Sequence, residues 1–140
     1  MKVLFASDGS DCSDRAAQYL ARNLSRQAKN LRVTLFNVDV PMLDRVAASL
    51  GEETVARIHR ENSDEALKRA RQRLKRAGVP FDEWFDVGNA AQCIARFAEK
   101  GGYDLVVMGS HGHGALGSWI LGSVASRVLA ESKVPVLIVR

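Results

Sequence analysis

The sequence predicts an α/β fold, a parallel sheet covered by helices on both faces. Short apolar runs alternate with amphipathic helical stretches along all 140 residues, as parallel strands and their crossover helices do. Polar tips follow the first and fourth apolar runs: Ser7-Asp8-Gly9-Ser10, and Gly109-Ser110-His111-Gly112. In open sheets of this kind ligands bind at the carboxyl ends of strands, where the strand order reverses. If the first and fourth strands are neighbours, the two tips face one crevice.

Val3 to Ala6 is a short apolar run suited to a buried strand. Ser10 caps a helix with Asp11 and Asp14 in its first turn and an apolar stripe of Ala16, Ala17, Leu20, Ala21 and Leu24. Leu31 to Val38 is a second strand, ended by Pro41. Residues 39–50 fit no single pattern. From about Gly51 a long amphipathic helix turns Val55, Ile58, Ala66, Leu67, Ala70 and Leu74 inward and stops at Gly78 and Pro80. His59, in its polar half, is expected in solvent. Phe81 to Val87 mixes apolar and acidic residues, as a half-exposed edge strand does. Asn89, with Gln92 three residues on, opens a helix through Phe97 that ends at Gly101-Gly102. A strand over 103–108, a helix over 123–129 with Val124, Val128 and Leu129 inward, and a strand over Pro135–Val139 complete the chain.

Length and composition predict one domain over 1–140. Hydrophobic residues at 46% and charged residues at 26% make it globular rather than disordered. No apolar stretch is long enough to span a membrane and the start lacks a signal-peptide core, so a cytoplasmic location is expected. Cys12 and Cys93 have neither zinc nor redox spacing and read as reduced thiols in half-buried helical positions. The net charge of +4 comes mostly from Lys68, Arg69, Arg71, Arg73, Lys75 and Arg76. These surround an apolar stripe without interleaved aromatics, which favours a solvated helix end over a nucleic-acid surface.

The segment after the fourth strand carries the chemistry. Gly112 is followed by nine residues and then Gly122-Ser123, which open a helix. Glycines let the backbone approach an anion, and free N–H groups at a helix N-terminus point at it. Ser110 and Ser123 add hydroxyl donors. No GxxxxGK[ST] occurs and no general base adjoins the loop, which argues against a P-loop ATPase or kinase. His111-Gly112-His113 has two imidazoles but no third metal ligand in sequence.

On Asp8-Gly9-Ser10, Val107-Met108-Gly109-Ser110-His111-Gly112, Gly122-Ser123-Val124 and the terminal Val134-Pro135-Val136-Leu137-Ile138-Val139, the chain resembles the universal stress protein family over its whole length. The complete G-x2-G-x9-G-[ST] spacing marks the ATP-binding branch. The resemblance implies a five-stranded parallel sheet of order 3-2-1-4-5, Rossmann-like and adenine nucleotide alpha hydrolase-like. It also implies a homodimer through the last strand, 135–139, and a cytoplasmic stress-response role without efficient catalysis. The implied ligand is ATP, with Mg²⁺ held by its phosphates. Carried over by position, Ser7 and Asp8 sit near the adenosine and the Val38 backbone contacts adenine. Met108, Gly109, Ser110, His111 and Gly112 line the ribose and first phosphate, and Gly122, Ser123 and Val124 meet the outer phosphates. Gly114 and Gly117 depart from the pattern and imply a loose insert over 113–121. Two other readings stay open. One is an ATP-hydrolysing enzyme related to the ATP pyrophosphatases, whose SGGxDS loop the segment Ser7–Ser13 faintly resembles. The other is a nucleotide-free dimerisation module.

Overall fold

The computed structural model describes residues 1–113 and 121–140; the expectation placed on Gly114 and Gly117 lies outside them. The elements run β1 (Lys2–Ala6), α1 (Asp11–Tyr19), a π-helical turn (Leu20–Leu24), α2 (Ser25–Gln27), β2 (Arg32–Asp39), α3 (Asp44–Leu50), α4 (Glu52–Arg76), β3 (Phe81–Val87), α5 (Ala90–Lys100), β4 (Leu105–Gly109), α6 (Ser123–Glu131) and β5 (Val136–Val139). All strand pairs are parallel and the order is β3-β2-β1-β4-β5. The expected sheet is therefore the observed one.

Side chains alternate across a strand, so each inner strand feeds two cores. Val3 and Phe5 of β1, Val33 and Leu35 of β2 and Val107 of β4 pack against Ala16, Ala17 and Leu20 and against Leu67, Ala70 and Leu74 of α4. Leu4, Ala6, Phe36, Val106 and Met108 face the other way, onto Ala91, Ile94 and Ala98 of α5 and Ala125 and Val128 of α6. Phe36 stacks on Phe97 with centroids 4.3 Å apart, and the Tyr103 hydroxyl donates to Thr34 Oγ1 at 2.9 Å within the same layer.

Four sequence expectations change. Residues 44–50 form α3, while Val40 and Leu43 just before it stay exposed. On α6 the inward residues are Ala125 and Val128, three apart, whereas Val124 and Leu129 are exposed; a nine-residue helix lying over α5 and β5 presents only one narrow stripe. His59 is buried, 7% exposed, because its Nδ1 lies 2.7 Å from Asp39 Oδ2 at the end of β2. Asn62 Nδ2 and the Val40 N–H also donate to Asp39. Burial raises the Asp39 carboxyl, but these bonds outweigh it and hold the group below its ordinary range. Cys12 is half-buried on α1, but Cys93 on α5 is fully buried, and burial pushes its thiol up.

The basic half of α4 is tied into the fold. Arg69 donates to Asp11 and Asp14, Arg73 makes two bonds to Asp14, and Arg71 bridges Asp64 and Glu83. The cationic run is thus largely neutralised by carboxylates on α1, β3 and its own helix. Among the described residues no helix is long and apolar enough to cross a membrane.

Candidate functional site

At the carboxyl ends of β1 and β4, where the strand order reverses, lies a cleft of about 480 Å³. All eleven residues singled out from sequence line it: Ser7 and Asp8, Val38, Met108 to Gly112, and Gly122 to Val124. The sheet order brings these four separated segments together.

The first wall is the turn after β1. Ser7 is buried and its Oγ donates to the Ala66 carbonyl of α4 at 3.1 Å. The Asp8 carboxylate accepts from the Ser10 N–H at 3.0 Å and from Ser13 Oγ at 2.6 Å. Partial burial raises the Asp8 carboxyl, but the bonds from Ser10 and Ser13 more than offset it, so the group lies below the ordinary carboxylate range. Ser10 also accepts from the Ser13 N–H at 3.2 Å, capping α1 as expected, and donates to the His111 carbonyl.

The second wall is the glycine segment. A Cβ on Gly109 would lie 2.7 Å from the backbone of Cys12, and one on Gly112 would lie 2.6 Å from Asp8 Oδ2. One on Gly122 would lie 3.0 Å from the Ser110 carbonyl oxygen, which accepts the Gly122 N–H at 2.8 Å. Gly109 and Gly122 therefore serve first to let this segment lie against the protein's own backbone, and Gly112 lets it lie against the Asp8 carboxylate. Ser110 is buried, with Oγ 2.7 Å from His111 Nδ1, and His113 Nε2 bonds the Asp8 carbonyl at 2.8 Å. His111 Nε2 is buried without a hydrogen-bond partner among the described residues.

The third wall is the start of α6. Its N-cap, Gly122, makes no side-chain cap and no acidic residue stands in its first turn. The first N–H groups of a helix have no intrahelical acceptor, so this terminus offers donors and a positive dipole end to the cleft. The cleft has an apolar end as well, lined by Phe36, Val38, Ala90 and Ile94. Its dimensions and its division into an apolar slot and a donor-rich end suit a small molecule with a flat ring and an anionic tail.

Sequence reasoning missed Asn37, which also lines the cleft. Asn37 Nδ2 donates to the Ser7 carbonyl at 2.8 Å and its Oδ1 accepts from Ser63 of α4 at 3.0 Å. A lone amide in an apolar strand was its only signal. Phe36, Ile94 and Ala90 were not singled out from sequence either; the first two pack in the core while also bordering the cleft, and Ala90 lines it. Among the described residues no group of three or more His, Cys, Asp or Glu is placed to hold a metal ion.

The sequence model of the universal stress protein family matches residues 1–140. A universal stress protein of Methanocaldococcus jannaschii, MJ0531, is 34% identical over 139 residues, covering 99% of this chain and 81% of the relative. The solved structure of MJ0577 superposes with a TM-score of 0.77 at 28% identity, covering 99% of this chain and 94% of the other. A universal stress protein solved in complex with cAMP superposes at 0.72 with 26% identity, covering 100% and 97%. Full-length agreement in sequence and in sheet order leads to one conclusion: the chain belongs to the universal stress protein family.

Proposed function

We propose that this protein binds an adenine nucleotide in the cleft between β1 and β4 and acts as a regulatory binding module in a cytoplasmic stress response, without efficient catalysis. The observation that carries the reading is the convergence of the two turns and the uncapped start of α6 on one cleft with an apolar slot at its other end. The cAMP held by a structural neighbour supports the choice of ligand class. In this reading the base lies against Val38, Phe36 and Ile94, the ribose near Asp8, and the phosphates over Gly109–Gly112 and Gly122–Val124. ATP is the proposed ligand on the glycine spacing. Mg²⁺ would be carried by the phosphates, since the described lining offers Asp8 as its sole carboxylate. That carboxylate already accepts two hydrogen bonds, which disfavours it as a general base.

A ligand that binds only the folded state stabilises it by about 2.7 kcal/mol at 100 times its Kd. Thermal melts with saturating ATP, ADP, AMP or cAMP should therefore rise by several degrees. A flat response to every adenine nucleotide would sink the reading.

The same reading includes a homodimer through β5. This strand is a sheet edge of four half-buried apolar residues, Val136 to Val139. An open apolar edge pairs readily with a second copy, and a two-fold arrangement closes it. Ile138→Pro removes a ladder donor and should convert dimer to monomer in sedimentation; a monomeric parent at micromolar concentration would refute the dimer.

A further inference from the structure

From Leu105 to Ser126 the chain has no lysine, arginine, aspartate or glutamate; His111 and His113 are its only titratable side chains. This stretch includes the whole phosphate-facing segment. No lysine or arginine stands among the described residues that line the cleft, and the one formal charge there is the carboxylate of Asp8. An anionic ligand thus enters a cleft of net negative side-chain charge, held by N–H and hydroxyl dipoles. Resting on the nucleotide reading above, we infer that His111 and His113 are the cationic residues of this site, so that it takes up a proton together with its phosphate ligand.

The geometry leaves room for that proton on His113, whereas a charged His111 needs a ligand oxygen to satisfy its buried, unpartnered Nε2. His113 Nε2 is anchored on the Asp8 carbonyl at 2.8 Å, so the ring keeps its place while Nδ1 gains or loses hydrogen. In His111, Nδ1 faces Ser110 Oγ at 2.7 Å, and a hydroxyl there donates to a neutral ring or accepts from a charged one. The groups facing the two rings are few. Asp8, on the β1–α1 turn, presents its carbonyl to His113 and its carboxylate to the Ser10 N–H and Ser13 Oγ. Cys12 of α1 lies 4.0 Å from His111 Nδ1 and accepts from Arg15 Nη2 at 2.8 Å. The Val139 carbonyl, just before Arg140, receives the Ser110 N–H. The α5 side contributes Ala90 and Ile94, and the first charge on α6 is Arg127, exposed one turn in. Histidine is the side chain that ordinarily changes charge between pH 5 and 8, and an anion brought beside it favours the charged form.

The test is calorimetric titration of the full chain with cAMP from pH 8 to pH 6 in EDTA, in two buffers of different ionisation enthalpy. Cyclic AMP keeps one constant charge over this range, whereas a terminal phosphate itself titrates near pH 6. Affinity should rise about tenfold on acidification, following the ~1 unit or more by which an adjacent opposite charge shifts a titrating group. Proton uptake should show as a buffer-dependent heat. His113→Gln should flatten the profile and His113→Lys should give tight binding at pH 8. The double variant His111→Asn, His113→Gln should abolish proton uptake. Binding that is flat in pH, or that needs a divalent cation at every pH, would overturn this inference and leave the nucleotide reading standing. No binding of cAMP, AMP or ATP at any pH would overturn both.

Discussion

Two helices begin at the rim of the cleft, and they begin in opposite ways. The N-terminus of α1 is fully occupied by protein: Ser10 caps it, and Asp11 and Asp14 complement its dipole while binding Arg69 and Arg73 of α4. The N-terminus of α6 has a glycine in place of the cap and no acid in its first turn. The other helices that start from a loop have one or the other: α5 has the Asn89 cap, α3 has Asp44, and α4 has Glu52 and Glu53. Positive dipole ends are normally answered by the chain itself. Where the chain supplies no answer and a cleft lies in front, a ligand is the natural complement. Thus α1 fixes the frame, and α6 is the terminus proposed to face the ligand.

The largest effect should come from removing the acid that ties α1 to α4. Asp14 is nearly buried and accepts from both arginines, so Asp14→Ala should cost about 2 kcal/mol, the scale of hydrogen bonds to charged groups. Denaturant unfolding measures it, and a loss below about 0.5 kcal/mol would mean that α1 is held by its apolar stripe alone. The pH dependence has a defined sign. The hydrogen bond from Arg73 is the main influence that lowers the Asp14 carboxyl, with burial opposing it and the charges of Arg69 and Arg73 assisting. A carboxyl lowered in the folded state contributes stability above its unfolded value of about 3.9 and loses that contribution as pH falls through the folded value. The parent should therefore lose melting temperature below about pH 4 more steeply than Asp14→Asn.

Next comes the open terminus. Ser123→Asp places a carboxylate where the phosphates are proposed to lie, and should weaken nucleotide binding at least tenfold, about 1.4 kcal/mol. Ser123 is exposed, so the side chain fits without rearrangement. Gly122 is a poorer probe, because any Cβ there presses on the Ser110 carbonyl and mixes a packing defect with the loss of ligand contact. Unchanged affinity in Ser123→Asp would place the phosphates elsewhere.

What the sequence revealed of this frame follows from the range of the forces involved. The stripe Ala16, Ala17, Leu20 and the strands Val3–Ala6 and Val106–Met108 were readable because local periodicity encodes burial directly. The two turns of the cleft, Ser7–Ser10 and Gly109–Gly112, were readable because polar and glycine tips at strand ends have few roles, whereas Val38, Met108 and Val124 came only from the family resemblance. The misses are non-local. His59 sits among Arg57, Arg60 and Glu61, and only the approach of Asp39 twenty residues away buries it. Asn37 looked like an interruption of a strand until Ser7 and Ser63 arrived on either side. Trp84 and Phe85 of β3 are both exposed, at 60% and 40%, in keeping with the half-exposed edge strand read from sequence.

A smaller effect should come from the occupied terminus. Ser10→Ala removes the α1 cap together with the bond to the His111 carbonyl, and should cost about 1 kcal/mol. The cost should fall on folding and leave nucleotide affinity within about threefold, a change worth well under 1 kcal/mol. A large affinity loss with little loss of stability would mean that Ser10 acts on the ligand, and the contrast between the two helices would fail.

The smallest effect is the most discriminating because of its sign. Without nucleotide, Ser123→Asp supplies the acid that the first turn of α6 lacks, and an acid in that position stabilises a helix by about 0.3–1 kcal/mol at low ionic strength. The ligand-free variant should therefore melt slightly higher than the parent, and the gain should fade with added salt as the dipole interaction is screened. With saturating nucleotide the order should invert, since the parent gains ligand stabilisation that the variant has lost. Crossing curves of this kind follow only if one group of N–H donors is what both the carboxylate and the ligand bind. A variant less stable than the parent in both conditions would show that the α6 terminus is already satisfied within the protein, and the proposed anion site would have to move off it.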